Sequence, residues 1–390
     1  MTALDCPKGF RFNGLHAGLK DKPELFDLAL IASDVPARAA GVFTQNHFPG
    51  EPVKLARERL KSGTLQALVI NSRYSNVATG AEGRRRAEVI CKLCSEHLKI
   101  DEKNVLISST GIIGRQYPGQ VIENALPKLV AGLEHSSDAI WRATRGIMTT
   151  DTIPKALSAK VGDVSIAVMV KGSGMICPNM ATMLSFILTD ADLIGVDLPA
   201  LLRRVVDRSF NNLSIDFDTS TSDSCFLLAN GMAGKIDLES FEAALSALCV
   251  RAAEAIVRDG EGVTKLIDCR VKGGLDASMV RGVASSIINS PLVKTMITGA
   301  DPNWGRLIMA IGKVHDARLQ GIAPTIHIVG QKVFDAGQPF AHDLKAISRA
   351  MKEGNTVLIE VDLHRGSAEV QFLGGNLTND YVAINADYTS

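Results

Sequence analysis

Apolar residues run along the chain in two rhythms. Some crowd into short stretches bounded by Pro, Asp, Asn or Gly: FDLALIASD, ARAAGVFTQ, LQALVINS, NVLISSTGIIG, VSIAVMVKGSGMI, MLSFILTDA and CFLLANG. Stretches of that length and β-branched content predict strands, several of them buried on both faces. Elsewhere apolar residues recur every three or four positions. That spacing predicts helices over GEPVKLARERLKSG (ending at Gly63), AEGRRRAEVICKLCSEHL, PGQVIENALPKLVAGL, SDAIWRATRGIM and DLPALLRRVVDRSFNNL. LESFEAALSALCVRAAEAIVRDG predicts one long helix stopped by Gly260. TVLIEVDLHRGSAEVQFLGGNLT alternates on both sides of a turn and predicts a hairpin.

Strands and helices follow one another without a regular βαβ beat. The expected fold class is mixed α/β or α+β, with helices packed on sheets. At 390 residues the chain is long for one core, so two lobes are expected. Hydrophobic residues make up 46% and aromatics 5%, which implies an aliphatic, Ala-rich core and excludes a disordered chain. Lys and Arg number 42 and Asp and Glu 42, so no global basic excess points to nucleic acid. The N-terminal stretch MTALDCPKGFRFNG lacks a charged segment followed by an apolar one, and no run of about 18 apolar residues predicts a membrane span. The seven cysteines are irregularly spaced, which fits a reducing compartment. A soluble cytoplasmic protein is expected. Cys91 and Cys94 have CxxC spacing, but no second pair of ligands lies nearby, so they read as ordinary helix thiols.

GxGxxG, Walker A and GxSxG patterns are absent, and the eight histidines are scattered. Neither a nucleotide fold nor a Ser-His-Asp hydrolase gains support, and no metal or cofactor is implied. Hydroxyls instead concentrate at strand ends, in Ser108-Ser-Thr-Gly111, Met148-Thr-Thr-Asp-Thr152 and Asp218-Thr-Ser-Thr-Ser-Asp223. Each alone reads as turn and cap chemistry. A fourth such place, KGSGMICPNMATML at 171–184, adds a lysine and the pair Ala181-Thr182. A hydroxyl nucleophile without histidine can use its own α-amine as base if the chain is cut just before it. That amine titrates near pH 7.7–8.0 when unperturbed, close to operating pH.

The 171–184 segment closely resembles the self-cleavage motif of the ornithine acetyltransferases, the glutamate N-acetyltransferases of the cyclic arginine pathway. VFTQN, STGIIG, IMTTDT, DTSTSD, DGEGVTK, NSPLVKT, DPNWGR and INADYTS extend the resemblance over essentially the whole chain. It implies an N-terminal-nucleophile enzyme that cuts itself between Ala181 and Thr182. The products would be an α chain, 1–181, carrying the oxyanion hole, and a β chain, 182–390, carrying the substrate lobe and tail. Thr182 would take acetyl from N-acetylornithine and pass it to glutamate in ping-pong fashion. Thr110 and Gly111 match the oxyanion pair. Thr149, Lys171, Thr182, Glu261, Asn385 and Ser390 match positions that hold substrate, Thr149 being one of a threonine doublet. Taken alone, Lys171 and Glu261 would read as a surface ion pair. Small-molecule substrates and an α2β2 heterotetramer of cleaved chains are the implied partners.

The chain departs from the main branch of that family at Ser72-Arg-Tyr-Ser-Asn-Val-Ala-Thr-Gly80, where Asn-Ala-Asn-Ala-Cys-Thr-Gly is usual, and at Ser222, where Asn is usual. The altered run is similar to a branch found with clavulanic acid biosynthesis. A different amino-acid acceptor in a secondary pathway is therefore an alternative, as is an amidohydrolase that passes the acyl group to water. No Gly-rich CoA loop is visible, so monofunctional action is expected.

Overall fold

In a computed structural model, residues 2–116, 118–177 and 183–387 are described. The first sheet contains β1 (Phe10–Leu15), β2 (Leu28–Phe43), β3 (Thr64–Asn71), β4 (Val105–Ser109), β5 (Lys155–Val161), β6 (Val164–Lys171), β7 (Leu184–Asp192) and, later in the chain, β9 (Ser224–Lys235). Its order is β4-β3-β2-β9-β7-β6-β5, with β1 paired to β2. The second contains β8 (Leu213–Ser214), β10 (Leu266–Gly274), β11 (Thr325–Ile328), β12 (Gln331–Asp335), β13 (Gln338–Pro339), β14 (Thr356–Asp362) and β15 (Ala368–Gly375). Its order is β13-β12-β11-β14-β10-β15-β8.

The first sheet is buried on both faces, which is why its central strands read as unbroken apolar runs. Phe186, Leu188, Phe226 and Leu228 point to one side, where they meet α2 (Gly80–Leu98), α3 (Gly119–Ala131) and α4 (Ser137–Ile147). Val168, Ile187, Cys225 and Leu227 point to the other, against α5 (Leu198–Arg208) and α6 (Leu238–Arg258). α1 (Glu51–Arg59) flanks β4. The second sheet is packed along one face, and on the other only at its β10-β15-β8 end, where Leu266, Leu373 and Leu213 meet α6. Ile267, Cys269, Val357 and Ile359 meet α7 (Ala277–Ile288), α8 (Pro291–Thr298), α9 (Trp304–Gly312) and α10 (Leu344–Glu353). Their neighbours Asp268, Arg270 and Glu360 face away, which gives the period-two alternation. A last helix, α11 (Asn379–Asp387), has no buried residue.

Two expectations change. FDLALIASD and ARAAGVFTQ are one strand, β2, whose pairing with β3 lapses between Ala32 and Ala37. Pro36, which lacks an N–H, lies in that gap. The expected hairpin at 356–375 does not form. β10 lies between β14 and β15, parallel to the first and antiparallel to the second. Alternation reports which face is buried; it carries no information about which strand is the neighbour. Among the described residues no helix is long and apolar enough to cross a membrane.

Candidate active site

β6 ends at Lys171, opposite Leu184 of β7, so the intervening loop leaves and re-enters the sheet at one place. Asp216 holds the outgoing side: its carboxylate accepts the Met175 N–H at 2.6 Å and the Ile176 N–H at 2.7 Å. The Thr219 hydroxyl donates to the Cys177 carbonyl at 2.9 Å. Lys294, on α8, fixes this clamp to the second sheet by donating to the carbonyls of Ile215, at 2.9 Å, and Gly375. Burial pulls the Lys294 ammonium down to about 8, against the opposing pull of Asp216. On the returning side, the Met183 carbonyl accepts the Ser224 N–H at 3.0 Å, and the Met183 N–H donates to the Asp223 carboxylate. Ala181 and Thr182 lie outside the described residues, as does Ser390.

Behind the loop lies a buried charge cluster. Lys171 is 7% exposed, so it is no surface ion pair. Burial lowers its pKa, while Asp151, Asp223 and Glu261 oppose that shift. Asp151 accepts the Gly172 N–H at 2.7 Å and the Thr149 N–H at 2.9 Å, and Lys155 reaches it at 2.8 Å. Burial alone would raise the Asp151 carboxyl; Lys171 and Lys155 hold it well below the usual carboxylate range. Lys155 also pairs with Asp259, which accepts the Thr152 N–H at 3.1 Å. Asp223 has the opposite fate. Its burial pushes the carboxyl well up, and its Oδ2 has no hydrogen-bond partner among the described residues.

Glu261 joins the cluster through the backbone. Its N–H donates to the Ser173 carbonyl at 2.9 Å, and the Ser173 hydroxyl donates to the Asp259 carbonyl at 2.6 Å. A Cβ on Gly174 would lie 2.3 Å from Glu261 Oε2, so a larger residue there would push the carboxylate out of this position. From α11, Asn385 donates to Glu261 Oε2 at 3.0 Å. Thr149, Lys171, Glu261 and Asn385 thus converge.

Thr110 and Gly111 sit on the next loop. β3 and β4 run parallel and end together, with Asn71 opposite Ser109. The Thr110 N–H donates to the Asn71 carbonyl at 3.1 Å. Gly111 has φ +131°, and a Cβ there would lie 2.3 Å from the Arg73 carbonyl carbon. The Ile112 N–H donates to the Arg73 carbonyl at 3.0 Å, and the Ser75 N–H to the Ile112 carbonyl at 3.1 Å. The altered 72–80 run is therefore fastened along the 110–112 turn.

Sequence reasoning missed Asp151, Lys155, Asp216, Asp223, Asp259 and Lys294. Asp151, Asp223, Asp259 and Lys294 lie inside motifs singled out for other reasons, and for Asp151 and Asp223 a carboxylate embedded in a hydroxyl-rich turn was the available signal. Lys155 opens a strand and gave none. Cys91 and Cys94 are buried in α2, where desolvation pushes the Cys91 thiol up to about 12 and Cys94 higher still.

Residues 11–390 match the profile of the ArgJ family. The chain belongs to the ArgJ family. It is 42% identical over 384 residues to the arginine biosynthesis bifunctional protein ArgJ 2 of Clostridium acetobutylicum, covering 98% of each chain. It is 40% identical over 390 residues to the glutamate N-acetyltransferase Oat2 of Streptomyces clavuligerus, again covering 98% of each. A crystal structure of ArgJ from Bacillus halodurans superposes with a TM-score of 0.51 at 37% identity. It covers 53% of this chain and the whole of that one.

Proposed function

We propose that this ArgJ-family chain is a self-processed acetyltransferase that moves the acetyl group of N-acetylornithine to glutamate. Its Thr182 Oγ attacks the Ala181 carbonyl, and an N-to-O shift leaves an ester. Water cleaves that ester to the Ala181 carboxylate and free Thr182. The new α-amine then takes the Oγ proton as Oγ adds to the acetyl carbonyl. Thr110 Oγ–H and Gly111 N–H receive the oxyanion, the ornithine amine leaves with the proton, and the α-amine of glutamate attacks the acetyl-Thr182 ester in turn. Glu261 with Asn385 suits the side-chain ammonium of the donor, and Lys171 with Thr149 suits the shared α-carboxylate. The cleaved chains assemble as α2β2.

The observation that carries this reading is that Lys171 opens the loop that contains Ala181 and Thr182, and that Asp151 accepts the Gly172 N–H and the Glu261 N–H donates to the Ser173 carbonyl at the described start of that loop. So dense a buried charge set is worth assembling around a site that handles charged groups. Intact-mass analysis should show fragments 1–181 and 182–390, and a donor with labelled acetyl should label 182–390 until glutamate is added. An uncut chain with full transfer activity would sink the mechanism. Label lost to water as fast without glutamate as with it would favour an amidohydrolase.

A further inference from the structure

A cavity of about 210 Å³ opens beside the 110–112 turn, lined by Lys20, Asp21, Lys22, Leu25, Arg73 and Thr149. It shares Thr149 with the substrate positions above, and the backbone of Arg73 lies against Gly111. Three of its six lining residues are cations. Lys20 is fixed in place, donating to the carbonyls of Phe26 at 2.7 Å and Met148 at 2.8 Å. Its pKa is lowered first by burial, and Lys171 and Arg73 add to that shift. Arg73 has φ +79°, a conformation that side chains adopt reluctantly and that tends to persist where it has a use. Its only ion pair among the described residues is with Asp21, at 3.6 Å, and the Asp21 side chain is 90% exposed. A ligand carboxylate can displace so long and open a contact.

The acyl-transfer reading, on which this inference rests, leaves a problem of charge. Both substrates must bring an α-nitrogen to the same acyl carbon, yet their far ends are opposite: an ammonium on the donor, a carboxylate on the acceptor. Glu261 welcomes the first and repels the second. We propose that the Lys20–Lys22–Arg73 cavity is the subsite for the side-chain carboxylate of a dicarboxylic amino-acid acceptor, with Arg73 its principal partner. The two substrates then share Lys171 and Thr149 and diverge beyond them, one toward Glu261 and the other toward Arg73. Arg73 belongs to the 72–80 run in which this chain departs from the main branch.

The test compares glutamate with its neutral isostere glutamine as acceptors, with N-acetylornithine as donor. The readout is the ratio of the two kcat/KM values within one preparation, which does not depend on the fraction folded. Arg73→Gln should lower the glutamate preference about 10- to 100-fold, the loss of one charge-assisted contact. Lys22→Gln should lower it less, and Arg73→Lys should keep part of it. A ratio within twofold of wild type in both Arg73→Gln and Lys22→Gln overturns the proposal. Should the wild-type protein transfer acetyl to neither acceptor, the acyl-transfer reading fails, and calorimetric titration decides the cavity separately. Glutamate binding in preference to glutamine, lost in Arg73→Gln, upholds the subsite; equal binding, or none, overturns it.

Discussion

Lys155 and Lys171 place two ammonium groups in a space water hardly enters, and Asp151 lies between them with its own side chain fully buried. Removing one partner of such a cluster leaves charge without compensation, at about 3–5 kcal/mol. Asp151→Asn should therefore lower stability by that order while keeping the side chain's shape. The effect carries a pH signature. The Asp151 carboxyl is depressed in the folded protein, so its contribution is fully present above the ordinary value of 3.8 and is lost as pH falls toward the folded pKa. Denaturant melts at a series of pH values should show the gap between wild type and variant narrowing below that point. A gap independent of pH would mean that the charge of Asp151 does not matter. At this scale the sequence was half legible. Thr149, Lys171 and Glu261 could be named from motifs. Asp151 could not be assigned its role, because the role exists only once 149–155, 171–173 and 259 have met in space.

Among elements, those with an unbroken apolar run or a clear helical spacing were readable. α1, α2, β3 and β4 follow from periodicity and punctuation alone. β14 and β15 did not, because their shared neighbour β10 lies far earlier in the chain, Leu266 pairing with both Thr356 and Gly375. The short β1 and β5 were also missed, although each pairs with the next strand along the chain: FRFNGL and KALSAKV interrupt their apolar positions with polar or charged residues, and so lack the unbroken apolar run that marked the central strands. α11 is the element of most functional interest. It buries nothing of its own, yet Thr378 just before it donates to the Gly262 carbonyl at 2.6 Å, and Asn385 reaches Glu261. Deleting residues 385–390 should leave the melting temperature unchanged within about a degree or two, since surface changes stay within ±0.5 kcal/mol. It should raise KM for N-acetylornithine sharply, because Glu261 loses its orienting donor at about 1–3 kcal/mol. Unchanged steady-state kinetics in the truncated protein would reduce α11 to a surface end.

For the molecule as a whole, the bond proposed for cleavage does not separate lobes. β6 precedes it, β7 and β9 follow it, and all three stand side by side in the first sheet, β7 hydrogen-bonded on both edges. Both core clusters of that sheet draw residues from the two sides of the bond. The cleaved chains should consequently elute together in native size-exclusion chromatography and separate only in denaturant. Fragments that part in native buffer would contradict the shared sheet. The interleaving also gives the protein a history. Before the cut, β7 finds its place beside β6 along a tether of a dozen residues, a first-order event whose closure entropy is small. After the cut the same register has to be rebuilt from two separate molecules, a second-order event that weakens with every dilution. Folding must therefore come first and scission second, and the cut enzyme is a product its own parts reassemble only in proportion to their concentration.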